Sequence, residues 1–214
     1  MIGLVWKDLL VAKKTIRAYL LFLLFYFGMA AAGMFSITFV TSFLSVLVML
    51  LPMSAFAYDE QARWDRYAMS LPLGRRAVVG ARYLFSLMLA LFASACGLLT
   101  CVLLFVLEKG ELIENLSTVL SSLGIGIWLA AILLPLCYKL GPERARPYMY
   151  VVIFVPIIAL FLAYRMGIHI DLSFLDALPG VVFIGGIALF PLIGLAALGL
   201  SYLISCAIAT GKEY

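Results

Sequence analysis

The feature that most constrains this chain is a stretch of 41 residues, 18–58, without a single charged side chain. A helix that crosses the hydrocarbon core of a bilayer needs about 20 apolar residues, because each residue rises about 1.5 Å. The stretch is therefore long enough for two membrane-spanning helices joined by a short turn. Gly33 is the natural place for that turn, since glycine adopts the backbone conformations that tight turns require.

Four further charge-free runs extend the pattern along the chain: residues 83–107, 115–138, 147–164 and 177–211. The composition agrees with a membrane protein, because 66% of the residues are hydrophobic, only 12% are charged, and the mean hydropathy is +1.17. We therefore predict an all-α fold in which residues 1–214 form a single transmembrane domain. The six predicted spans lie at roughly 18–33, 35–57, 83–107, 116–138, 147–165 and 181–209.

The distribution of Lys and Arg tests the number of spans. If both ends of the chain are cytoplasmic, 13 of the 15 basic side chains fall on the cytoplasmic side, and only Lys109 and Arg165 fall on the other. This asymmetry is the positive-inside pattern of membrane proteins, and an odd number of spans would destroy it. The net charge of +4 therefore indicates membrane orientation and does not indicate nucleic-acid binding.

Two segments outside the spans are predicted to be short helices. Residues 1–17 read as an amphipathic interfacial helix that meets anionic lipid, and it is not expected to be a cleaved signal peptide because the following apolar run is too long. Its apolar face would hold Val5, Leu9, Ala12 and Ile16, and its basic face Lys7, Lys14 and Arg17. Residues 166–180 are apolar but interrupted by charge, and predict a short helix at the outer leaflet.

The loop at residues 58–82 carries eight charged side chains and is predicted to be cytoplasmic. Apolar and aromatic residues recur there at the i, i+3, i+4 and i+7 spacing of an amphipathic helix: Trp64, Tyr67, Ala68 and Leu71. Asp59 and Glu60 are expected in its first turn, where acidic groups suit the helix dipole, and Pro72 would end it. The alternative is a solvated loop anchored at the interface by its aromatic residues.

Two sets of polar or small residues lie within the predicted spans. Thr38, Ser42 and Ser45 share a face of the second span, where hydroxyl groups either serve helix packing or line a polar pathway. Ala197, Ser201, Ser205 and Ala209 recur at every fourth position of the last span. Such a row lets another helix approach closely, and both internal packing and a dimer interface fit it.

The sequence offers no pattern for catalysis. The four cysteines lack the spacing of a metal site, there is no GxxxxGK[ST] loop for nucleotide, and no predicted span contains a histidine. We therefore expect no catalytic, metal or cofactor-binding residue in this chain. Ion-coupled carriers usually place ionisable groups in their spans, and the cores of the predicted spans contain none.

The charged loop also resembles a known family. The run DEQARWDRYAMSLPLGRRAVVGARY at residues 59–83, together with an N-terminal helix that begins Trp6-Lys7-Asp8-Leu9, is similar to the type-2 permease family of ATP-binding-cassette (ABC) transporters. Within that family it resembles a small bacterial subgroup that includes the permeases of phenol-soluble modulin exporters. The topology and the length extend the resemblance over the whole chain.

The resemblance implies a role for the loop. In such permeases the helix after the second span is the coupling helix, which docks onto a separate ATPase subunit. Carried over to this chain, the docking residues would be Asp59, Glu60, Arg63, Trp64, Asp65, Arg66 and Tyr67. The chain itself would hold no cofactor, since the partner ATPase would bind ATP and Mg.

The resemblance also implies an assembly and a cargo. Two ATPase subunits would serve two permease copies, or this chain and a close paralogue, in the bacterial cytoplasmic membrane. The expected function is export of an amphipathic substrate, such as a cytolytic or antimicrobial peptide. Export of a lipid or a hydrophobic drug is the alternative within the family, and an ATP-independent secondary carrier or a membrane scaffold is the alternative outside it.

Overall fold

A computed structural model describes residues 2–64, 74–107, 111–167 and 180–211. These ranges contain seven helices: α1 (Ile2–Val11), α2 (Lys13–Ala32), α3 (Ile37–Gln61), α4 (Arg75–Val106), α5 (Leu112–Leu140), α6 (Pro142–Arg165) and α7 (Gly180–Gly211). Six of them, α2 to α7, are long and apolar enough to cross a membrane. The prediction of an all-α protein with six membrane-spanning helices is therefore confirmed.

Glycine forms the turn between the first two spanning helices, as predicted. Gly33 follows α2 with φ 83°, in the left-handed region, and its N–H donates to the carbonyl of Ala30 at 2.9 Å. The next N–H, that of Met34, donates to Met29 at 3.0 Å, so the last carbonyls of α2 are satisfied before the chain enters α3.

Helices α3, α4 and α5 form the centre of the fold. Their apolar side chains meet in one cluster that includes Val40, Leu44, Ala93 and Val119, each no more than 2% exposed. Helix α7 packs along α5 and α4. Helices α2 and α6 lie at the periphery, and only 6% of the residues in the most apolar window of each are buried. The exposed surface is apolar because the hydrocarbon of a bilayer would surround it.

Helix α1 packs on protein where the sequence predicted contact with lipid. Leu4, Val5 and Ala12 are buried in a cluster with residues of α3 and α4. Trp6, in contrast, is 61% exposed. The predicted interfacial helix at 1–17 is also shorter than expected, because α1 ends at Val11 and the residues from Lys13 onward already belong to α2. The helix predicted at 166–180 lies mostly outside the described residues.

A glycine sets the spacing of the two central helices α3 and α5. A Cβ atom placed on Gly126 would lie 3.1 Å from the Cα and 3.2 Å from the carbonyl oxygen of Ser45. Since these are backbone atoms, a side chain cannot be accommodated there by a rotamer change. The Ser45 hydroxyl donates to the carbonyl of Ser122, one turn earlier in α5, and so joins the two helices beside this close contact.

We predict that Gly126→Leu destabilises the protein, because the added side chain must push α3 away from α5. Overpacking of this kind costs about 1–3 kcal/mol, and the unfolding midpoint of the purified protein in detergent should fall accordingly. Gly28→Leu is the matched control, since nothing lies within 4 Å of a Cβ at that exposed position of α2. Equal midpoints for the two variants would show that this contact does not set the helix spacing.

Candidate functional site: a buried charge cluster beside the end of α3

Four charged side chains meet where α1, α3 and α4 converge, and we call them the ion cluster: Lys7, Asp8, Asp59 and Arg82. Lys7 Nζ donates to both carboxylate oxygens of Asp59, at 2.7 and 2.8 Å, and lies 3.1 Å from Asp8 Oδ1. Arg82 Nη1 lies 3.2 Å from Asp8 Oδ2, and its Nη2 donates to Asp59. Each cation therefore contacts both carboxylates.

The ion cluster is buried and neutral. Asp8, Arg82 and Asp59 are 3%, 5% and 8% exposed, and Lys7 is partly exposed. Removing an isolated charge from water costs several kcal/mol, and pairing with good geometry is what offsets this cost. Two cations against two carboxylates leave no net charge, so removing a single member would leave an uncompensated charge in the interior.

Aromatic rings enclose the ion cluster on two sides. The Arg82 guanidinium lies over the ring of Phe56, 4.5 Å from its centroid, and Phe56 meets Tyr138 of α5 edge to face at 4.8 Å. The Lys7 ammonium lies 4.4 Å from the ring centroid of Trp64, which follows the end of α3. The cations thus contact ring faces, where their charge is stabilised by the aromatic quadrupole.

The first two acidic residues of the predicted coupling helix do not lie at the start of a helix. Asp59 and Glu60 lie in the last turn of α3, which runs to Gln61, and do not begin a new helix. An acidic residue at the carboxyl end of a helix opposes the helix dipole, and the two cations on Asp59 offset this repulsion. The prediction that Asp59 and Glu60 lie in the first turn of a helix was therefore wrong. It did not take into account that Asp59 pairs with Lys7 and Arg82, which are distant in the chain.

The other predicted docking residues are divided between surface and interior. Glu60 and Arg63 are exposed, and the Glu60 carboxylate lies beside Gly141, which joins α5 to α6. Arg63 has φ 49° and ends α3 in the left-handed conformation. Trp64 is partly buried against the α1–α4 contact. The predicted docking residues Asp65, Arg66 and Tyr67 lie outside the described residues.

The three hydroxyl residues predicted as a pathway lining do not share one environment. Thr38 and Ser42 are exposed, whereas Ser45 is 6% exposed and lies in the contact with α5. Thr38 borders a cavity of about 720 Å³ at the α2–α3 turn, which Glu114 and Asn115 also line. This cavity is at the end of α3 opposite to the ion cluster.

The row of small residues in α7 lies against the protein's own helices. Ser201 and Ser205 are buried and contact the Tyr83 hydroxyl at 2.6 and 2.7 Å. Ser201 also donates to the carbonyl of Ala131 in α5 at 2.6 Å. Ala197 and Ala209 join the same apolar cluster. Within this chain the row therefore brings α7 close to both α4 and α5.

Sequence reasoning missed three of the four members of the ion cluster. It assigned Arg82 to the cytoplasmic loop and Lys7 to a lipid-facing basic surface, and it gave Asp8 no role. Helix α4 in fact begins at Arg75, so Arg82 lies two turns inside it. The available signal was the single acidic residue of α1, Asp8, together with Arg82 at the edge of an apolar run, which suggests that the two form a pair.

Among the described residues, no group of three or more His, Cys, Asp or Glu side chains could hold a metal ion.

We predict that Arg82→Gln and Asp59→Asn are each more destabilising than their combination. Either single change leaves the ion cluster with a net charge, whereas the double variant is neutral again. Breaking a buried pair costs about 3–5 kcal/mol, so the double variant should recover a large part of that loss. The measurement is a double-mutant cycle on the unfolding midpoint in detergent. Additive effects would contradict the coupling of the two residues.

Comparison with known proteins places the chain in a family. Residues 3–209 match the family described as ABC-2 family transporter protein. Neither the curated proteins nor the solved structures gave a match. The family match includes all four residues of the ion cluster, and it confirms the resemblance to ABC permeases at the level of the family. With six helices of membrane-spanning length and a match over almost its whole length, the chain belongs to the ABC-2 transporter family and is a multi-pass membrane protein.

Proposed function

We propose that this chain is the permease subunit of an ABC exporter that moves an amphipathic substrate out of the cell. The family match over residues 3–209 is the observation that carries the proposal. A separate ATPase subunit binds ATP and Mg and drives the cycle, and this chain contributes no catalytic residue. Both termini are cytoplasmic, and the membrane is the bacterial cytoplasmic membrane. The excess of Lys and Arg on one side of the six helices supports this orientation.

The ATPase docks at the end of α3 and on the segment that follows it. Glu60 and Arg63 are exposed there and offer charges of both signs, and Asp65, Arg66 and Tyr67 come next in the chain. Tryptophan, tyrosine and arginine dominate the energetics of protein interfaces, and Trp64, Arg66 and Tyr67 supply all three types. The carboxylate of Asp59 faces Lys7 and Arg82, so its role in docking is to hold the end of α3 in place.

The ion cluster supports a route by which docking acts on the membrane helices. Trp64 is joined to Lys7 of α1, Lys7 to Asp59 of α3, and Asp59 to Arg82 of α4. A displacement of the docking segment therefore acts on three helices at once. In the assembly, two ATPase subunits close on ATP beneath two permease copies, or beneath this chain and a close paralogue. The spans then alternate between states that are open to opposite sides.

The cargo we favour is an amphipathic peptide of the cytolytic or antimicrobial kind. This choice rests mainly on the resemblance of residues 59–83 to the permeases of phenol-soluble modulin exporters. The charge-free runs of the membrane-spanning helices, such as residues 18–58 and 83–107, also offer little to a strongly polar solute.

The direct test is to purify the tagged protein from its native membrane in mild detergent with ATP and to identify what accompanies it. We expect a stoichiometric soluble subunit that contains a Walker A loop. Purification of the protein alone, at native expression levels, would remove the main support for the ABC mechanism. An ATP-independent carrier would then be the better explanation if flux persisted without ATP, and a scaffold if flux did not depend on the chain.

We predict that Arg63→Glu combined with Arg66→Glu lowers the amount of co-purified ATPase about tenfold or more, because reversed charges at an interface meet like charges on the partner. Arg63 is exposed, so its reversal should change the unfolding midpoint of the permease little. The midpoint of the double variant is measured beside the amount of co-purified ATPase.

Arg165→Glu is the matched control for this pair, since Arg165 is an exposed arginine at the far end of α6. A Trp64→Ala variant forms a separate arm, and its midpoint must be measured because Trp64 also packs against α1. Undiminished ATPase association with the doubly reversed permease would refute docking at this segment.

A further inference from the structure

An apolar groove opens between the first four helices on the side of α2. It has a volume of about 270 Å³ and is lined by α1, α2, α3 and α4, among others by Leu9, Ile16, Leu20, Leu51, Phe85 and Met88. Its floor is closed, since Leu51 and Phe85 are at most 1% exposed, while Leu20 and Met88 at the rim are more than 40% exposed. The groove is thus a recess in the protein's surface with an open side.

The size and lining of the groove fit a hydrocarbon chain. At about 30 Å³ for a group as large as a water molecule, 270 Å³ accommodates roughly nine such groups, and a methylene is of about that size. All but one of the lining side chains are wholly apolar, and the exception is Tyr19. Such a recess stays dry and gains stability from an apolar occupant.

Basic side chains stand at one end of this groove. Lys13, Ile16 and Leu20 are spaced i, i+3 and i+7 and so share one face of α2, with Lys13 about one turn before the groove. Arg17 precedes the rim residue Leu20 by three positions. Both cations are exposed, and neither forms an ion pair with any residue in the described part of the chain. The nearest acidic residue in sequence, Asp8, is already held by Lys7 and Arg82.

We propose that this groove binds one acyl chain of an anionic phospholipid whose headgroup contacts Lys13 and Arg17. The two halves of the site match the two halves of the ligand, with hydrocarbon in the recess and negative charge at the first turns of α2. The apolar part of α2 begins directly after Arg17, so the two cations lie at the depth of the headgroups. The bound lipid fills the gap between α2 and the central helices and holds α2 against them. This proposal does not depend on the ATPase partner or on the cargo.

The test is a titration of the purified full-length protein in detergent with phosphatidylglycerol and, separately, with phosphatidylcholine of the same acyl chains, read as bound lipid by native mass spectrometry. Each basic residue at a membrane surface strengthens attraction to anionic lipid about fivefold. We therefore expect a preference of roughly 5- to 30-fold for phosphatidylglycerol. Glycerol 3-phosphate alone should not compete, because it lacks the acyl chain.

Two variants separate the halves of the site. Lys13→Gln with Arg17→Gln should abolish the preference and leave binding of phosphatidylcholine unchanged. Met88→Trp fills the groove and should weaken binding of both lipids. The matched controls are Lys139→Gln with Arg144→Gln, which removes two exposed cations elsewhere, and Leu91→Trp, at an exposed position of α4 outside the groove. Both controls should bind as the unmodified protein does.

Several results would overturn the proposal. It fails if the unmodified protein shows no preference, if the preference survives loss of Lys13 and Arg17, or if the Lys139 and Arg144 control loses it equally. It also fails if Met88→Trp and Leu91→Trp weaken binding to the same degree, or if glycerol 3-phosphate displaces the lipid. Unfolding midpoints measured on every variant without added lipid show that the comparison is made on folded protein.

Discussion

Burial of charge away from water is the constraint on which the end of this protein that contains α1 depends. Two cations and two carboxylates from three helices compensate one another, and each cation contacts a carboxylate of its own or a neighbouring helix as well as one from α3. The positions of α1, of the end of α3 and of the start of α4 are therefore set together. Helix α1 in particular, which is only ten residues long, is held by its charges as well as by its apolar face.

The same constraint explains what the sequence could predict. Hydropathy sufficed for the six spans and for the turn at Gly33, because hydrocarbon imposes a length and a composition on each helix separately. The end of α3 and the start of α4 were predicted wrongly, because they depend on contacts between helices and not on the hydropathy of each helix separately. The sequence placed Asp59 in the first turn of a separate helix and Arg82 in the loop, whereas both lie inside the long helices α3 and α4 and pair across 23 residues of sequence.

Contacts between side chains of helices that are distant in sequence could not be predicted either. The row from Ala197 to Ala209 was recognised as a packing surface, but Tyr83, whose hydroxyl meets Ser201 and Ser205, carried no periodic signal. Ser45 was grouped with Thr38 and Ser42 by spacing, whereas burial separates it from them. The docking role of residues 59–67 rests on resemblance and family membership, since four charged or aromatic side chains of that segment have their geometry described and three do not.

The close approach of α3 and α5 at Gly126 has a consequence for movement. Two helices whose backbones approach this closely cannot slide along each other without collision. Helices α3 and α5, and α7, which is hydrogen-bonded to α5, therefore form a stiff block. Helices α2 and α6 share far less surface with that block. We therefore expect a change of shape to move these two outer helices more readily than the block, with Gly33 and Gly141, both at positive φ, at the ends where they join it.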